Sequence, residues 1–524
     1  MPTIEFRRHL VGIGARIDRL WRACRPRILV VTDSLGYSPT SGFGLSQFVD
    51  TLRAKPIHAM TPEVVTASRH GDPDATVSCP FRFDDPSHGL ATLRYDVAFL
   101  FGIDAEGSGQ LPQREIDAVA RFMQDGGGLF ATGDHESLGA ALCRDLPRVR
   151  SMRFWRQCEA PNGSDATRLT TNLPGGDDVY LGKDQSDRRP QRLFANYRTA
   201  AGGVGAPHPL LQGGPLGAIE VFPDHPHEGE CRLPQDLTTT YAFAGGPSVE
   251  EWPGATSGAG RVVPEMVALA MSHGNGLAGD PPFGTKQAVT PRAFMAVVAY
   301  DGQRAGVGRV VTDATWHHFV NLNLDGTGSP PELGLYGLQD PPGTDTPALL
   351  RVRQYYRNLA AWLLPREARR CLRFPKLYLE LARYPLFEEL RLPTLASARG
   401  EELREVGRQV VASLAGHRPR FEAEELVADA LEDAVGDGER AELATLGNRF
   451  GRISGRDLGL AALGALAVAA AERLPEIGRM PEIDPHRALV PIASDAARLG
   501  VRRYVEESRK DLFDLDDLLH KVVQ

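Results

Sequence analysis

The sequence predicts an α/β protein with a parallel-rich sheet and long insertions, followed by an all-α C-terminal domain. Three observations support this prediction. Apolar, β-branched runs alternate with segments of helical periodicity in the first part of the chain, which is the pattern of βαβ units. A long stretch rich in Gly and Pro interrupts the alternation. Beyond Pro365 no strand pattern persists, and Ala, Leu, Glu and Arg recur with the period of a helix.

The chain divides into three predicted parts. Residues 1–26 form a short amphipathic helix, residues 27–365 the α/β domain and residues 366–524 the helical domain. The first part carries scattered arginines together with Glu5 and Asp18. It lacks the apolar segment and the small-residue cleavage site of a signal peptide. We therefore expect a cytoplasmic protein.

The strands of the α/β domain are predicted from continuous apolar runs, because a strand that is buried on both faces shows no polar alternation. The first run, RILVVT, occupies residues 27–32 and leads into a glycine-containing loop. Further strands are predicted at 64–66, 95–101, 129–132, 292–300 and 308–312.

Helices are predicted between these strands at 45–52, 112–124, 137–143 and 348–363. The helical pattern is clearest at 112–124, where Pro112 lies near the start of the helix and apolar residues recur on one face. Between residues 147 and 290 helices are few. Long segments of this kind in a compact protein usually carry function or short strands of their own, so we expect loops and insertions that cover the sheet.

Four helices are predicted in the C-terminal domain, at 401–415, 422–435, 457–474 and 495–510. Residues 458–471 are apolar almost all round, but they are fewer than the roughly 20 residues that span a bilayer. This segment should therefore lie at the centre of the helical domain, and no membrane contact is expected. The domain itself is expected to serve self-association or the binding of a protein partner.

The composition excludes several classes of function. The chain has 524 residues, a net charge of −8 and a pI of about 6.0, which argues against a nucleic-acid partner. Its six cysteines include no CxxC pair, which favours reduced thiols. The glycine-rich segments match neither a Walker loop nor a dinucleotide-binding loop, so no nucleotide cofactor is expected.

Titratable residues follow three of the predicted strands. Asp33 follows the first strand, Asp134, His135 and Glu136 follow the strand at 129–132, and His317 and His318 stand just beyond the last strand. Because ligands bind at the carboxyl ends of parallel strands, these six residues are candidate catalytic residues. The competing interpretation is structural, since an aspartate in such a position also caps helices and closes Asx turns.

A second group of candidate residues lies in the irregular region, in the segment DHPHEGEC at 224–231. In an extended chain His225 and His227 project to one side, and Asp224, Glu228 and Glu230 project to the other. Both histidines and both glutamates could bind zinc or manganese, with a further ligand from His135 or His317. The alternative is a polar loop whose side chains satisfy one another.

The segment YDVAFLF, then a helix, then GGGLFATGDHESLGAAL at 126–142, resembles the class I glutamine amidotransferase-like superfamily. The ThuA-like branch is similar in running from a first strand into a glycine-containing loop and in ending on a GRV strand, which here begins at Gly308. The resemblance covers residues 27–365. It implies a flavodoxin-like sheet with a strand–nucleophile–helix elbow.

The chain departs from that family at the residues that carry its chemistry. Asp134 and His135 occupy the elbow in place of the nucleophilic cysteine, and Cys143 lies two turns further along. Phe319 and Val320 stand where the family places an acid after its histidine. Glutamine hydrolysis through a thioester is therefore not expected.

Two classes of function follow. In the first, the protein is a hydrolase or lyase of this fold that acts on a small polar molecule, such as a carbohydrate or an amide. It would use acid–base or metal-assisted chemistry without a cysteine nucleophile. His317 or His135 would be the base, and Asp134, Asp33 or Glu136 would orient that base or bind the metal. In the second, the protein binds a ligand or acts as a scaffold without catalysis, and its helical tail binds a partner. The titratable strand ends favour the enzyme.

Overall fold

The computed structural model describes residues 25–54, 61–90, 95–160, 190–199, 205–213, 216–223, 228–256, 260–272, 292–328, 337–369, 392–415, 454–477 and 492–510, together with Val427, Ala430, Leu431 and Ala434. Residues 1–24 of the predicted N-terminal helix lie outside this set.

A mixed sheet of nine strands forms the body of the protein, and five consecutive strands of it are parallel. These five are β1 (Arg27–Thr32), β2 (Glu63–Ser68), β3 (Val97–Phe101), β4 (Gly128–Thr132) and β13 (Val310–Asp313). Their order across the sheet is β2-β1-β3-β4-β13. The predicted strands at these positions are confirmed to within a few residues.

The other four strands extend the sheet beyond β13 with antiparallel pairing. They are, in spatial order, β12 (Arg292–Tyr300), β11 (Glu265–Ser272), β5 (Gln191–Ala195) and β8 (Val221–Phe222). β12 is antiparallel to β13 because the connection between them is too short for a crossover. Within the segment 147–290, β5 and β8 are short strands of the kind that such insertions can carry, whereas β11 has eight residues and was not predicted. All three extend the sheet rather than cover it.

Two small hairpin-like pairs also lie in this region. β6 (Tyr197–Thr199) pairs with β7 (Gly205–Pro207), and β9 (Thr240–Ala242) pairs with β10 (Ser248–Glu250). They lie outside the nine-stranded sheet.

Six helices of the α/β part have described bounds: α1 (Ser46–Ala54), α2 (Gln113–Gln124), α3 (Ala140–Cys143), α4 (Val149–Met152), α5 (Asn321–Asp325) and α6 (Pro347–Leu363). The helix predicted from residue 137 begins instead at Ala140. Gly139, with a left-handed φ of 89°, immediately precedes it, and that backbone conformation is incompatible with a continuing helix.

Alternate residues of each central strand enter two different cores. In β1, Ile28 and Val30 belong to the core on one face, whereas Leu29 and Val31 belong to the core on the other. The first core contains α1 and α6, with Phe48 and Tyr356 packed edge to face at 5.1 Å. Burial on both faces explains why these strands are apolar without alternation.

The C-terminal helices have a core of their own. It is built by α7 (Gly400–Ala415), α8 (Gly455–Ile477) and helical residues 492–510. α8 is buried nearly all round between Leu458 and Ala470, as predicted. The helix predicted at 422–435 lies almost entirely outside the described residues. Within the described residues, no helix combines the length and the apolar character that crossing a membrane requires.

Candidate functional site

Four titratable side chains meet at the carboxyl edge of the sheet, and we call them the histidine–carboxylate cluster. Asp134 and His135 follow β4, His317 follows the adjacent β13, and Glu228 comes from the irregular segment before β9. The Nε2 atom of His317 lies 2.8 Å from Oε2 of Glu228 and 3.3 Å from Oδ2 of Asp134. Nδ1 of His135 lies 3.0 Å from the same Asp134 oxygen and 3.3 Å from the same Glu228 oxygen.

The cluster is closed to solvent except at one residue. The side chains of Asp134, Glu228 and His317 are at most 3% exposed, whereas that of His135 is 31% exposed. His135 is therefore the member of the cluster that a molecule in solution can reach.

Asp134 does not cap a helix, although that was the competing interpretation of its position. α3 begins at Ala140 and has no side-chain cap. The Asp134 carboxylate instead accepts a hydrogen bond of 2.7 Å from the hydroxyl of Thr315, which lies two residues beyond β13. The carboxylate thus joins the loops that follow two neighbouring strands.

A buried arginine holds the same two loops together. Arg153, 1% exposed, donates to the backbone carbonyls of Asp134 and Ala314 at 2.7 and 2.8 Å. A further bond of 3.3 Å reaches the carbonyl of Asp313, and Trp155 packs against the guanidinium. Five fixed donors make arginine suited to gathering several carbonyls at one point. Arg153 could not be predicted from the sequence, because nothing local distinguishes it from the many other arginines.

Glu228 reaches the cluster because glycine follows it. A Cβ atom placed on Gly229 would lie 1.8 Å from the carbonyl oxygen of Ala314 and 2.4 Å from Nη2 of Arg153. Only glycine permits that approach of two backbones. The pair Glu228–Gly229 is therefore the signal in the sequence that could have identified this segment as the one that packs on β13.

His317 is fixed by three neighbours. Its ring stacks on Trp316 with 4.5 Å between centroids. Its backbone N–H donates to the hydroxyl of Thr315 at 3.1 Å. Its second ring nitrogen, Nδ1, lies 3.3 Å from the amide nitrogen of Asn323, which is 1% exposed. Thr315 and Asn323 belong to the segment after β13, but the sequence analysis did not single them out.

In the cluster, two buried carboxylates are stabilised in their ionised form by two neighbouring imidazoles. Burial opposes the ionised form of Asp134, but the charge of His317 and the hydrogen bonds from His135 and His317 together outweigh it, so the pKa of Asp134 is lowered. Burial also disfavours protonated histidine. Hydrogen bonds to Asp134 and Glu228 nevertheless raise the pKa of His135 to about 11, and the two carboxylate charges raise that of His317 to about 9. A protonated His135 is an acid rather than a base at neutral pH.

Several predicted site residues lie elsewhere. His318 is fully buried, with Nε2 2.9 Å from Oδ2 of Asp313 and its ring stacked on Phe222. Glu136 is exposed, with an unusual left-handed φ of 52°. Glu230 is buried, and its backbone carbonyl accepts a hydrogen bond from the N–H of Phe154. It is not among the described residues that form the cluster. His225 and His227 lie outside the described residues.

Asp33 belongs to a second group of polar residues, at the ends of β1, β2 and β3. Its carboxylate accepts backbone hydrogen bonds from Ile103, Asp104 and Ser34 at 2.7 to 3.1 Å. A cavity of about 190 Å³ opens there, which we call the switch-point cavity because the strand order reverses between β1 and β3. It is lined by Asp33, Arg69, His70, Asp104, Gly109 and Leu142.

The switch-point cavity and the cluster share one edge but have separate contacts. β1 and β4 are two strands apart, so Asp33 and Asp134 are separated by about 10 Å at roughly 4.8 Å per strand. Asp104 at the cavity is paired with His70 at 2.8 Å and with the hydroxyl of Ser34. Arg69 is paired with the buried Glu115 at 2.5 Å.

Cys143 is no nucleophile in this arrangement. It ends α3, is fully buried and points its sulfur toward the carbonyl of Thr132 at 4.0 Å. Burial holds the pKa of its thiol well above the usual range, and a thiolate is the reactive form.

Comparisons of the chain with protein-family models, with curated proteins and with solved structures give no match.

Proposed function

We propose that the protein is a hydrolase or lyase that acts on a small polar molecule at the carboxyl edge of its sheet, with a divalent cation held by the histidine–carboxylate cluster. The observation that carries the proposal is the convergence of two imidazoles and two carboxylates in a buried site. Buried charged groups are costly unless they are paired or bind a metal. The four groups pair with one another, and three of them also offer ligand atoms that lie within 4.8 Å of each other.

The donor atoms suit zinc or manganese. One ligand atom from each of Asp134, His135 and Glu228 lies within 4.8 Å of the others, and Nε2 of His317 adjoins the same carboxylates. Imidazole nitrogen together with carboxylate oxygen is a common ligand set for these ions. Glu228 is the one residue of the loop 224–231 that is both a predicted ligand and a described member of the group.

A divalent cation bound there would supply Lewis acidity and an activated water at neutral pH. The chain's own residues would hold and orient the site. Thr315 and Arg153 keep Asp134 in place, and Trp316 keeps the ring of His317 in one plane. His135, the partly exposed member, would be the ligand that faces the solvent.

The switch-point cavity is where we propose that the rest of the substrate binds. Asp33 and Asp104 present carboxylates to it, Glu115 pairs with Arg69, and His70 pairs with Asp104. Such a surface repels anions and accepts hydrogen bonds. The substrate is therefore a neutral or cationic molecule rich in hydroxyl or amino groups, rather than a phosphate or a carboxylate.

We further propose that the parallel half of the sheet is flavodoxin-like and related to the class I glutamine amidotransferase-like superfamily. The strand order β2-β1-β3-β4-β13 supports this proposal, because flavodoxin-like sheets have the order 2-1-3-4-5. The chain differs from that superfamily in the antiparallel extension of its sheet and in the absence of a cysteine at the elbow. A non-catalytic binding protein is the alternative, and it would not need the buried cluster.

Metal analysis tests the cation. Protein purified without chelator should carry about one zinc or manganese ion per chain, and Glu228→Gln, which keeps the size of the side chain, should lose it. Asp117→Asn is the matched control, since Asp117 is a buried carboxylate on α2 that bonds to Tyr241 instead. Wild-type protein that neither contains nor binds either ion would contradict the cation site.

Activity is the test that separates an enzyme from a binding protein. Small glycosides and amides, neutral and cationic, are incubated with wild-type protein and with Glu228→Gln. We expect turnover by the wild type that the variant lacks. Binding without turnover, equal in both proteins, would favour the non-catalytic alternative.

A further inference from the structure

Asn323 holds an unusual position behind the cluster. It lies in α5, and its amide nitrogen is 3.3 Å from Nδ1 of His317. The other ring nitrogen of His317, Nε2, faces Glu228 and Asp134. Asn323 is thus the residue on the side of the ring opposite to the two carboxylates.

The oxygen and the nitrogen of the Asn323 side-chain amide differ in their hydrogen bonding. Its oxygen, Oδ1, is buried and has no hydrogen-bond partner among the residues that the structure describes. A buried acceptor without a donor costs about 1–3 kcal/mol. The nitrogen, in contrast, faces a ring nitrogen that can either accept or donate. Since the oxygen and nitrogen of an asparagine amide are exchanged by a half-turn, two arrangements are available.

The two arrangements put the proton of His317 in different places. An amide nitrogen only donates, so when it faces Nδ1 the proton of a neutral ring is on Nε2, toward Glu228. An amide oxygen only accepts, so when it faces Nδ1 the proton is on Nδ1. Only in the second case does Nε2 of the neutral ring present a lone pair to the cluster.

We propose that Asn323 is a positioning residue: by turning Oδ1 toward Nδ1 of His317, it makes Nε2 of His317 a ligand of the divalent cation. The inference rests on the cation site proposed above. Metal-bound histidines usually donate their second N–H to a fixed acceptor, and loss of that acceptor weakens metal binding. The half-turn also gives Oδ1 a hydrogen-bond donor, the N–H at Nδ1 of His317.

α5 is held firmly enough to serve this purpose. The neighbouring Asn321 accepts hydrogen bonds from the hydroxyl of Ser46 and the backbone N–H of Gln47, at the start of α1. It also donates to the carbonyl of Ser41 at 2.9 Å. α5 is therefore tied to a helix of the first core, and a rotation of the Asn323 amide need not move the backbone.

Zinc affinity of full-length variants tests the inference, measured by competition with a chromophoric chelator. Asn323→Leu removes the acceptor and should bind zinc 10- to 100-fold more weakly. Asn323→Asp keeps the size and always accepts, so it should bind at least as tightly as wild type. Asn358→Leu is the control, because Asn358 donates to two carbonyls in another part of the fold. Its zinc affinity should not change.

Nitrogen-15 spectra of the histidine rings provide a second readout that a merely structural role would not change. The signals of His317 are assigned by their loss in His317→Gln. In zinc-loaded wild-type and Asn323→Asp protein the proton should be on Nδ1. Wild-type affinity in Asn323→Leu, or a proton on Nε2 in the loaded protein, would overturn this inference alone. A wild type that binds neither zinc nor manganese would remove the cation site as well.

Discussion

Asp33 shows what burial does to a single carboxylate. It is 3% exposed, and three backbone N–H groups bond to it. Burial raises its pKa to about 6, more than those hydrogen bonds lower it. The folded protein therefore holds this proton more tightly than the unfolded chain does. The resulting stabilisation is complete below the unfolded pKa of 3.8 and is lost as the pH rises to about 6.

We predict that Asp33 makes the free energy of unfolding fall by about 2 kcal/mol between pH 4 and pH 6. Asp33→Asn should remove that part of the pH dependence. Tryptophan fluorescence in urea is the measurement, because four of the five tryptophans lie between residues 27 and 365 and none follows residue 365. The exposed Asp145 gives the control, Asp145→Asn. Parallel pH profiles for wild type and Asp33→Asn would contradict the prediction.

At the scale of elements, the loop between β4 and α3 positions the cluster through close backbone contacts. Gly139 adopts a φ of 89°, and a Cβ atom there would lie 2.7 Å from the Cα of Gly133 and 2.9 Å from the carbonyl oxygen of Gly102. The ends of β3 and β4 are thus packed against the start of α3. Asp134 and His135 lie inside this loop, so their placement depends on these glycines.

Gly139→Ala should therefore destabilise the protein by more than about 1 kcal/mol and weaken zinc binding, since a Cβ both strains the left-handed backbone and forces the loop apart. Gly107→Ala is the matched control. Gly107 has a similar φ of 90°, but no atom lies within 4 Å of its added Cβ. The unfolding free energy and the zinc affinity of both variants are compared. Equal losses in the two would show that backbone strain alone acts at Gly139.

At the scale of the whole molecule, the helical part has a core that shares no residue with the two cores of the sheet. Its central helix, α8, packs tightly against α7. A Cβ atom on Gly464 would lie 1.8 Å from the carbonyl oxygen of Leu403, and one on Gly407 would lie 2.0 Å from that of Leu460. These two helices can approach closely because Ala and Gly, which are frequent in this part of the sequence, have small side chains.

Leu463→Asp should unfold the helical part and leave the α/β part intact. Leu463 is 1% exposed, and burying an unpaired charge costs several kcal/mol. Circular dichroism should lose helix, while tryptophan fluorescence and zinc affinity remain those of the wild type. Gln409→Asp, at an exposed position of α7, should change none of these signals. Loss of the fluorescence transition in Leu463→Asp would mean that the two parts fold as one unit.

The sequence by itself determined the local elements and the edge of the sheet where chemistry is possible. β1, β3, β4, β12 and β13 could be predicted because strands buried on both faces must be apolar throughout. α2, α6 and α8 could be predicted because one-sided or complete burial leaves a helical period. The titratable strand ends at Asp33, Asp134 and His317 followed from the same patterns. These features depend only on the neighbours of each residue along the chain.

The tertiary structure alone decided which of these residues meet. Glu228 bonds to His317 across 89 positions of the sequence, and Arg153 joins two loops whose contact no local pattern encodes. His317 and His318 are adjacent, yet one faces the cluster and the other the core, because a short 3₁₀ turn sets their directions. The spacing of apolar residues along each helix or strand indicates which of its faces are buried. Contacts between side chains depend on strand order, on turn geometry and on the few glycines that let backbones approach.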